Sequence, residues 1–181
     1  ADASNVYLII KDDCIIVEDD GSGMSYSGGD IQKYLNVAAV SRNTEAESIT
    51  PKKRRKMGRK GVGKLAALSV AKNVLINTIA NGEKSGFILS RHINADNLLT
   101  PLKDEQIFFE KVFTNGTSII MQEPQYKLHS TLKTIKRNLL KIFPLVNKEF
   151  RIHVIQEDKE EVIESFDKEM ISELATLITL G

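Results

Sequence analysis

The chain has 181 residues and a mass of 20.2 kDa, with 41% hydrophobic and 27% charged residues. That is enough to bury the core of one domain, or of one domain with a small appendage, and a formal net charge of +1 excludes a chain that is basic throughout. A single cysteine, Cys14, excludes an internal disulfide, and no apolar run approaches the roughly 18 residues of a membrane span. Together with the lack of a signal-peptide pattern, this leads us to expect a cytoplasmic protein with no membrane partner. The opening Ala1-Asp2-Ala3, without methionine, is what a cleaved product or an excised domain shows.

Val6 to Ile10 and Cys14 to Val17 are apolar and β-rich around a polar Lys11-Asp12-Asp13 turn, which predicts a β-hairpin. The second strand runs into Asp19-Asp20-Gly21-Ser22-Gly23-Met24, an acid held at the mouth of a core before two glycines. Glycines there let a ligand approach the backbone. Asp30 is placed to cap a helix carrying Ile31, Tyr34, Leu35 and Ala38. From Ser41 to Gly63 the chain is nearly free of apolar residues and holds Pro51 and the basic run Lys52 to Lys56. Such a long irregular connection suits a functional lid.

A helix with Leu65, Leu68, Val70 and Ala71 is expected directly behind Gly63, followed by a strand over 73–79, a hairpin turn at Asn81-Gly82-Glu83-Lys84 and a returning strand over 85–89. Ile107 to Val112 reads as a further strand, and Asn115-Gly116 as a turn before the strand Thr117 to Met121. Leu128 to Phe143 reads as an amphipathic helix stopped by Pro144, Phe150 to Val154 as a half-buried strand, and the acidic tail from Asp158 as one or two surface helices. His92, His129 and His153 lack zinc-ligand spacing. Glu18 and Asp20 are expected to be solvated beside Asp19, because strand neighbours alternate in direction.

The loop Gly58-Arg59-Lys60-Gly61-Val62-Gly63-Lys64 sets glycines ahead of a helix, where backbone N–H groups and the helix dipole favour an anion such as phosphate. Read as a P-loop it lacks the Ser or Thr after Lys64, since Leu65 stands there. Read as a dinucleotide fingerprint, Gly61-x-Gly63-x-x-Ala66, it lacks the preceding strand. Taken with the other motifs it fits a third pattern. Asp19-x-Gly21-x-Gly23-Met24, a helix from Asp30, a polar lid, Gly58-x-x-Gly61-x-Gly63 and Gly116-Thr117 occur in that order. In this the chain resembles the GHKL ATPase superfamily of gyrase B subunits, heat-shock chaperones, histidine kinases and MutL proteins, over about residues 1–122 and nearest to the chaperone and MORC-type branch.

The resemblance implies an α+β fold, a two-layer sandwich with a mixed, mostly antiparallel sheet and helices on one face. It implies an ATP-binding domain over residues 1–124, with 125–181 as a C-terminal extension or the start of a following segment. Asp19 would accept the adenine amino group, Gly21, Gly23 and Met24 would line the base, and Thr117 would support it through water. Gly58, Lys60, Gly61, Val62, Gly63 and Lys64 would wrap the phosphates, and Ser41 would approach the nucleotide from the lid. The cofactors implied are ATP and Mg2+. The Glu that activates water and the Asn that binds Mg2+ in the family are expected before residue 1, so catalytic residues are not assigned here. The partners implied are ATP or ADP, a second subunit brought in by lid closure (about 41–63), and a client protein or nucleic acid. A module that grips nucleic acid through Lys52 to Lys56 is the alternative.

Overall fold

Runs of Val, Ile and Thr with period-2 burial make this a sheet protein. The computed structural model describes residues 2–35, 49–54, 63–91, 100–126, 128, 130–142, 146–166 and 171. Eight strands form one sheet: β1 (Asn5–Ile10), β2 (Cys14–Asp19), β3 (Asn73–Ala80), β4 (Glu83–Ser90), β5 (Thr100–Pro101), β6 (Gly116–Gln122), β7 (Arg151–Gln156) and β8 (Lys159–Ile163), in the order β5-β4-β3-β6-β2-β1-β7-β8. Only β1 and β7 run parallel; every other neighbouring pair is antiparallel.

Three helices, α1 (Asp30–Leu35), α2 (Gly63–Val70) and α3 (Leu132–Ile142), cover the same face. Ile31, Leu68 and Val70 pack with Ile15, Val74, Ile76 and Met121, while Ile135 and Leu140 pack with Ile10, Ile152 and Val154. The fold is therefore the expected α+β two-layer sandwich. Residues from β7 and β8 belong to the same sheet as those before residue 124. The opposite face carries Ile9, Ile16 and Ile120, and further along Ile79 packs with Phe109 and Val112.

Several elements differ from the sequence reading. Ile107 to Val112 is no strand: a 3-10 turn (Asp104–Gln106) leads into an irregular segment laid across the sheet's second face. The tail after Asp158 begins with a strand instead of a helix, because β8 folds back on β7 around the turn at Glu157 and buries Ile163 against α3. Helix α3 starts at Leu132, four residues later than Leu128. Asp30 is the first helical residue, not the cap. Gly29 (φ +74°) contributes its carbonyl to Lys33 N–H at 3.2 Å, and the Asp30 carboxylate reaches back to Ser25 N–H at 3.3 Å. The β3–β4 turn is tighter than four residues, since Asn81 and Gly82 both take positive φ, as a two-residue hairpin turn requires.

Glu18 is the largest departure. Expected to be solvated, it is 0% exposed. Its carboxylate accepts Glu110 N–H at 2.8 Å, Lys111 N–H at 2.9 Å and the Ser118 hydroxyl at 3.2 Å. Those bonds supply partners to a backbone that has no strand neighbour, which is what a buried irregular segment needs. Asp20 is also engaged, accepting Ser4 N–H at 2.6 Å and Asn5 N–H at 2.8 Å, and these bonds hold its carboxyl below the usual range against the opposing effect of burial. Glu18→Ala removes the acceptor of two part-buried N–H groups and of the buried Ser118 hydroxyl, and should cost about 3 kcal/mol in urea unfolding. Lys11→Ala, which breaks the exposed ion pair with Glu110, should cost less than about 1 kcal/mol.

Candidate functional site

The alternation that turns Glu18 to one face turns Asp19 to the other, under the helices. Register then sets a polar row across the sheet: Asp19 on β2 faces Thr117 on β6, and Thr117 faces Thr78 on β3. Two interstrand spacings separate the outer members, roughly 10 Å. The chain leaving β2 turns over this row. Gly21 N–H donates to Asp19 Oδ1 at 2.9 Å, and Met24 N–H donates to Thr78 Oγ1 at 2.7 Å. Burial raises the Asp19 pKa above its ordinary value, against the opposing bond from Gly21. A carboxylate so placed, with one oxygen committed to the turn, suits a neutral N–H donor such as an exocyclic amine.

Glycine serves this corner for a different reason from the one the sequence suggested. A Cβ on Gly23 (φ +67°) would lie 2.0 Å from the Ile79 carbonyl oxygen, so the missing side chain admits β3 and not a ligand. Gly116 is equally constrained, with an added Cβ 2.0 Å from the Asp19 carbonyl oxygen. The acid-glycine turn and the Gly-Thr strand are thus pressed against neighbouring backbone at both ends of the polar row.

Asp19, Gly21, Gly23, Met24 and Thr117 come together at this corner. Gly63 begins α2, whose Ala67, Leu68 and Val70 pack in the same core cluster as Met24 and Val17. The far end of α2 is tied down by Gln125 N–H to the Val70 carbonyl at 2.8 Å and by Arg91 Nε–H to the Leu68 carbonyl at 2.9 Å. Its first turn carries no acid, so nothing there repels an anion. Ser41, Gly58, Lys60, Gly61, Val62 and the Lys64 side chain lie outside the described residues. Thr78 was missed by the sequence reading. Its signal was its position on a strand predicted to lie beside others, which register alone converts into contact.

Two side chains of the basic run, Lys52 and Arg54, bond back onto the chain. Lys52 N–H donates to Asp2 Oδ2 at 3.0 Å and Lys52 Nζ to the Asp2 carbonyl at 2.7 Å and Ser4 Oγ at 3.0 Å. Arg54 donates to the Ala3 and Glu149 carbonyls and lies over the Phe150 ring at 5.9 Å. These two side chains staple the 49–54 turn to the start of β1 and to the approach to β7. A crevice of about 1150 Å³ opens elsewhere, at the Lys11 end of the β1–β2 hairpin, lined by Ile10, Ile15, Tyr126, Leu132 and Lys159 among others. It lies at the opposite end of β2 from Asp19 and gathers charges of both signs.

Residues 1–117 match the family model described as histidine kinase-, DNA gyrase B-, and HSP90-like ATPase. The chain belongs to that family, whose members carry a GHKL-type ATP-binding domain. It is also 29% identical over 189 residues to a putative type II restriction enzyme, HgiDII, of Herpetosiphon aurantiacus, and spans 30% of that protein's length. Among solved structures it is similar to the topoisomerase IV ATP-binding domain of Francisella tularensis in complex with a small-molecule inhibitor, with a TM-score of 0.49, 18% identity, and coverage of 92% of this chain and 78% of that one.

Two substitutions separate the roles at this corner. Gly23→Ala must displace the turn from Ile79, and its thermal midpoint should fall by several degrees, in keeping with a backbone clash and a strained positive φ. Asp19→Asn should behave oppositely. A raised folded-state pKa means that the folded chain binds more protons than the unfolded one between the two pKa values, so the ionised carboxylate weakens the fold as pH rises. At neutral pH the Asn variant should unfold at the same temperature as the parent or higher, as calorimetry would show.

Proposed function

We propose that this domain binds ATP with the adenine amine on the Asp19 carboxylate, and that the nucleotide drives closure of the lid over 41–63 and a dimerisation cycle of the whole protein. The observation that carries the reading is the half-buried Asp19 beside the Thr117–Thr78 row, with one oxygen held by Gly21 N–H. In this reading Met24 packs beside the base and Thr117 supports it through water. The start of α2 at Gly63 faces phosphate, with Gly58, Lys60, Gly61, Val62 and Lys64 completing the phosphate loop and Ser41 reaching in from the lid. Bound ATP supplies the phosphoanhydride whose hydrolysis would reset the cycle. The chain's own residues select the base and hold the anion. Among the described residues no group of three His, Cys, Asp or Glu side chains could hold a metal ion.

A second reading, a module serving an enzyme that acts on nucleic acid, is supported by the likeness to the putative restriction enzyme. The inward bonding of Lys52 and Arg54 speaks against those two side chains as the grip on phosphate backbone. Neutralising Lys53, Arg55 and Lys56 together tests the remaining cations of the run, and unchanged DNA affinity at low salt would remove it as a nucleic-acid contact. A collapse of salt-dependent binding would restore the basic run as a nucleic-acid contact.

Isothermal titration with ATP and ADP tests the first reading directly. Asp19→Asn should weaken binding by on the order of 1.5–3 kcal/mol, roughly ten- to a hundred-fold, as expected for a hydrogen bond to a charged group. Undiminished binding by this variant would remove the adenine assignment. Parent affinity should also fall as pH drops through the raised Asp19 pKa, at a higher pH than an exposed aspartate would give, and the variant should lack that component.

A further inference from the structure

Thr78 lies outside every motif in the sequence, yet its hydroxyl is the one side-chain group described as joining both halves of the Asp19 corner. The side chain is wholly buried. Its Oγ1 accepts Met24 N–H at 2.7 Å. Its single proton has two acceptors in reach, the Gly116 carbonyl at 3.2 Å and the Met24 carbonyl at 3.4 Å. The first of these ties the acid-glycine turn to the residue preceding Thr117. The second closes the same turn on itself.

We infer that Thr78 is a positioning residue for purine recognition, holding the Met24 amide down into the sheet so that the corner offers the base the Asp19 acceptor and withholds the Met24 N–H donor. The inference rests on the proposal that Asp19 reads an adenine amine, and it adds the residue that makes that reading selective. A 6-amino group donates to a carboxylate, whereas the 6-oxo group of guanine accepts and is repelled by it. Backbone N–H groups near the base would offset that repulsion by donating to the oxo group. Met24 N–H is such a donor, one residue beyond Gly23, and Thr78 Oγ1 occupies it. The steric fit of Gly23 against Ile79 places the amide within reach of the hydroxyl, with Thr78 Oγ1 3.1 Å from where a Gly23 side chain would begin. Thr78 thus acts through Met24 and touches no ligand itself.

Thr78→Val keeps the shape of the side chain and removes the hydroxyl, and Thr78→Ser keeps the hydroxyl. Calorimetric titration of the parent and both variants with ATP and with GTP gives an affinity ratio for each protein. The Val variant should lose roughly ten-fold in ATP affinity while its ATP-to-GTP ratio drops several-fold, and the Ser variant should restore the ratio. Amide exchange at Met24 should accelerate in the Val variant and remain slow in the Ser variant. A merely structural role would lower thermal stability but leave the ratio where it is in the parent. If the parent binds ATP and Thr78→Val leaves the ratio within two-fold, the inference fails while the ATP reading stands. If the parent binds neither nucleotide, the ATP reading fails and this inference goes with it. Should the Val variant not fold, Thr78→Ala takes its place in the same titration, and an unchanged ratio there overturns the inference equally.

Discussion

Two carboxylates that are neighbours in sequence leave the end of β2 in opposite directions, and the arrangement of both faces of the sheet depends on that divergence. Glu18 points into the face opposite α1, α2 and α3 and accepts three bonds, two of them from the backbone of the 110–111 segment. Asp19 points under the helices and holds the turn that follows it. A shift of register by one residue would exchange the two environments. A carboxylate would then sit without its donors in the core, and Asp19 would face the wrong layer. Extensive pairing prevents this: β2 is bonded along its length to β1 and to β6.

The corner itself is built by close backbone approach more than by side chains. Gly23 against Ile79 and Gly116 against Asp19 bring three strands and a turn within a distance that no Cβ would allow. This explains why glycine is required at positions where no ligand need touch it. Thr78 completes the assembly by supplying a partner for a buried amide, which would otherwise be costly to leave unpaired.

The C-terminal part of the chain is joined to this scaffold through β7, which adds to β1 in parallel, and through Arg54, which reaches from the 49–54 turn to the Glu149 carbonyl and the Phe150 ring. The base of the polar connection is therefore bonded to the approach to β7. A basic run that looks solvated in the sequence is, at Lys52 and Arg54, part of the internal framework. Arginine suits this place because its planar fork can serve two carbonyls and lie on a ring at once.

Local pattern was enough to reveal the β1–β2 hairpin, the β3–β4 hairpin, the strand after Gly116, a helix behind Gly63, and the two glycine motifs whose order pointed to an ATP-binding domain. Those features depend on residues close in the chain: period-2 alternation, turn residues with positive φ, and glycine spacing. Tertiary structure alone decided the burial of Glu18, the strand at 159–163, the irregular path of 107–113 and the role of Thr78. The strand at 159–163 pairs locally with β7, and what the sequence hides there is the burial of Ile163 against α3; the other three turn on partners distant in sequence. The Glu18 bonds span 92 to 100 residues and the Thr78 bond to Met24 spans 54. An apolar segment such as 107–112 pairs as a strand only where a free edge meets it, and here a buried carboxylate met it first.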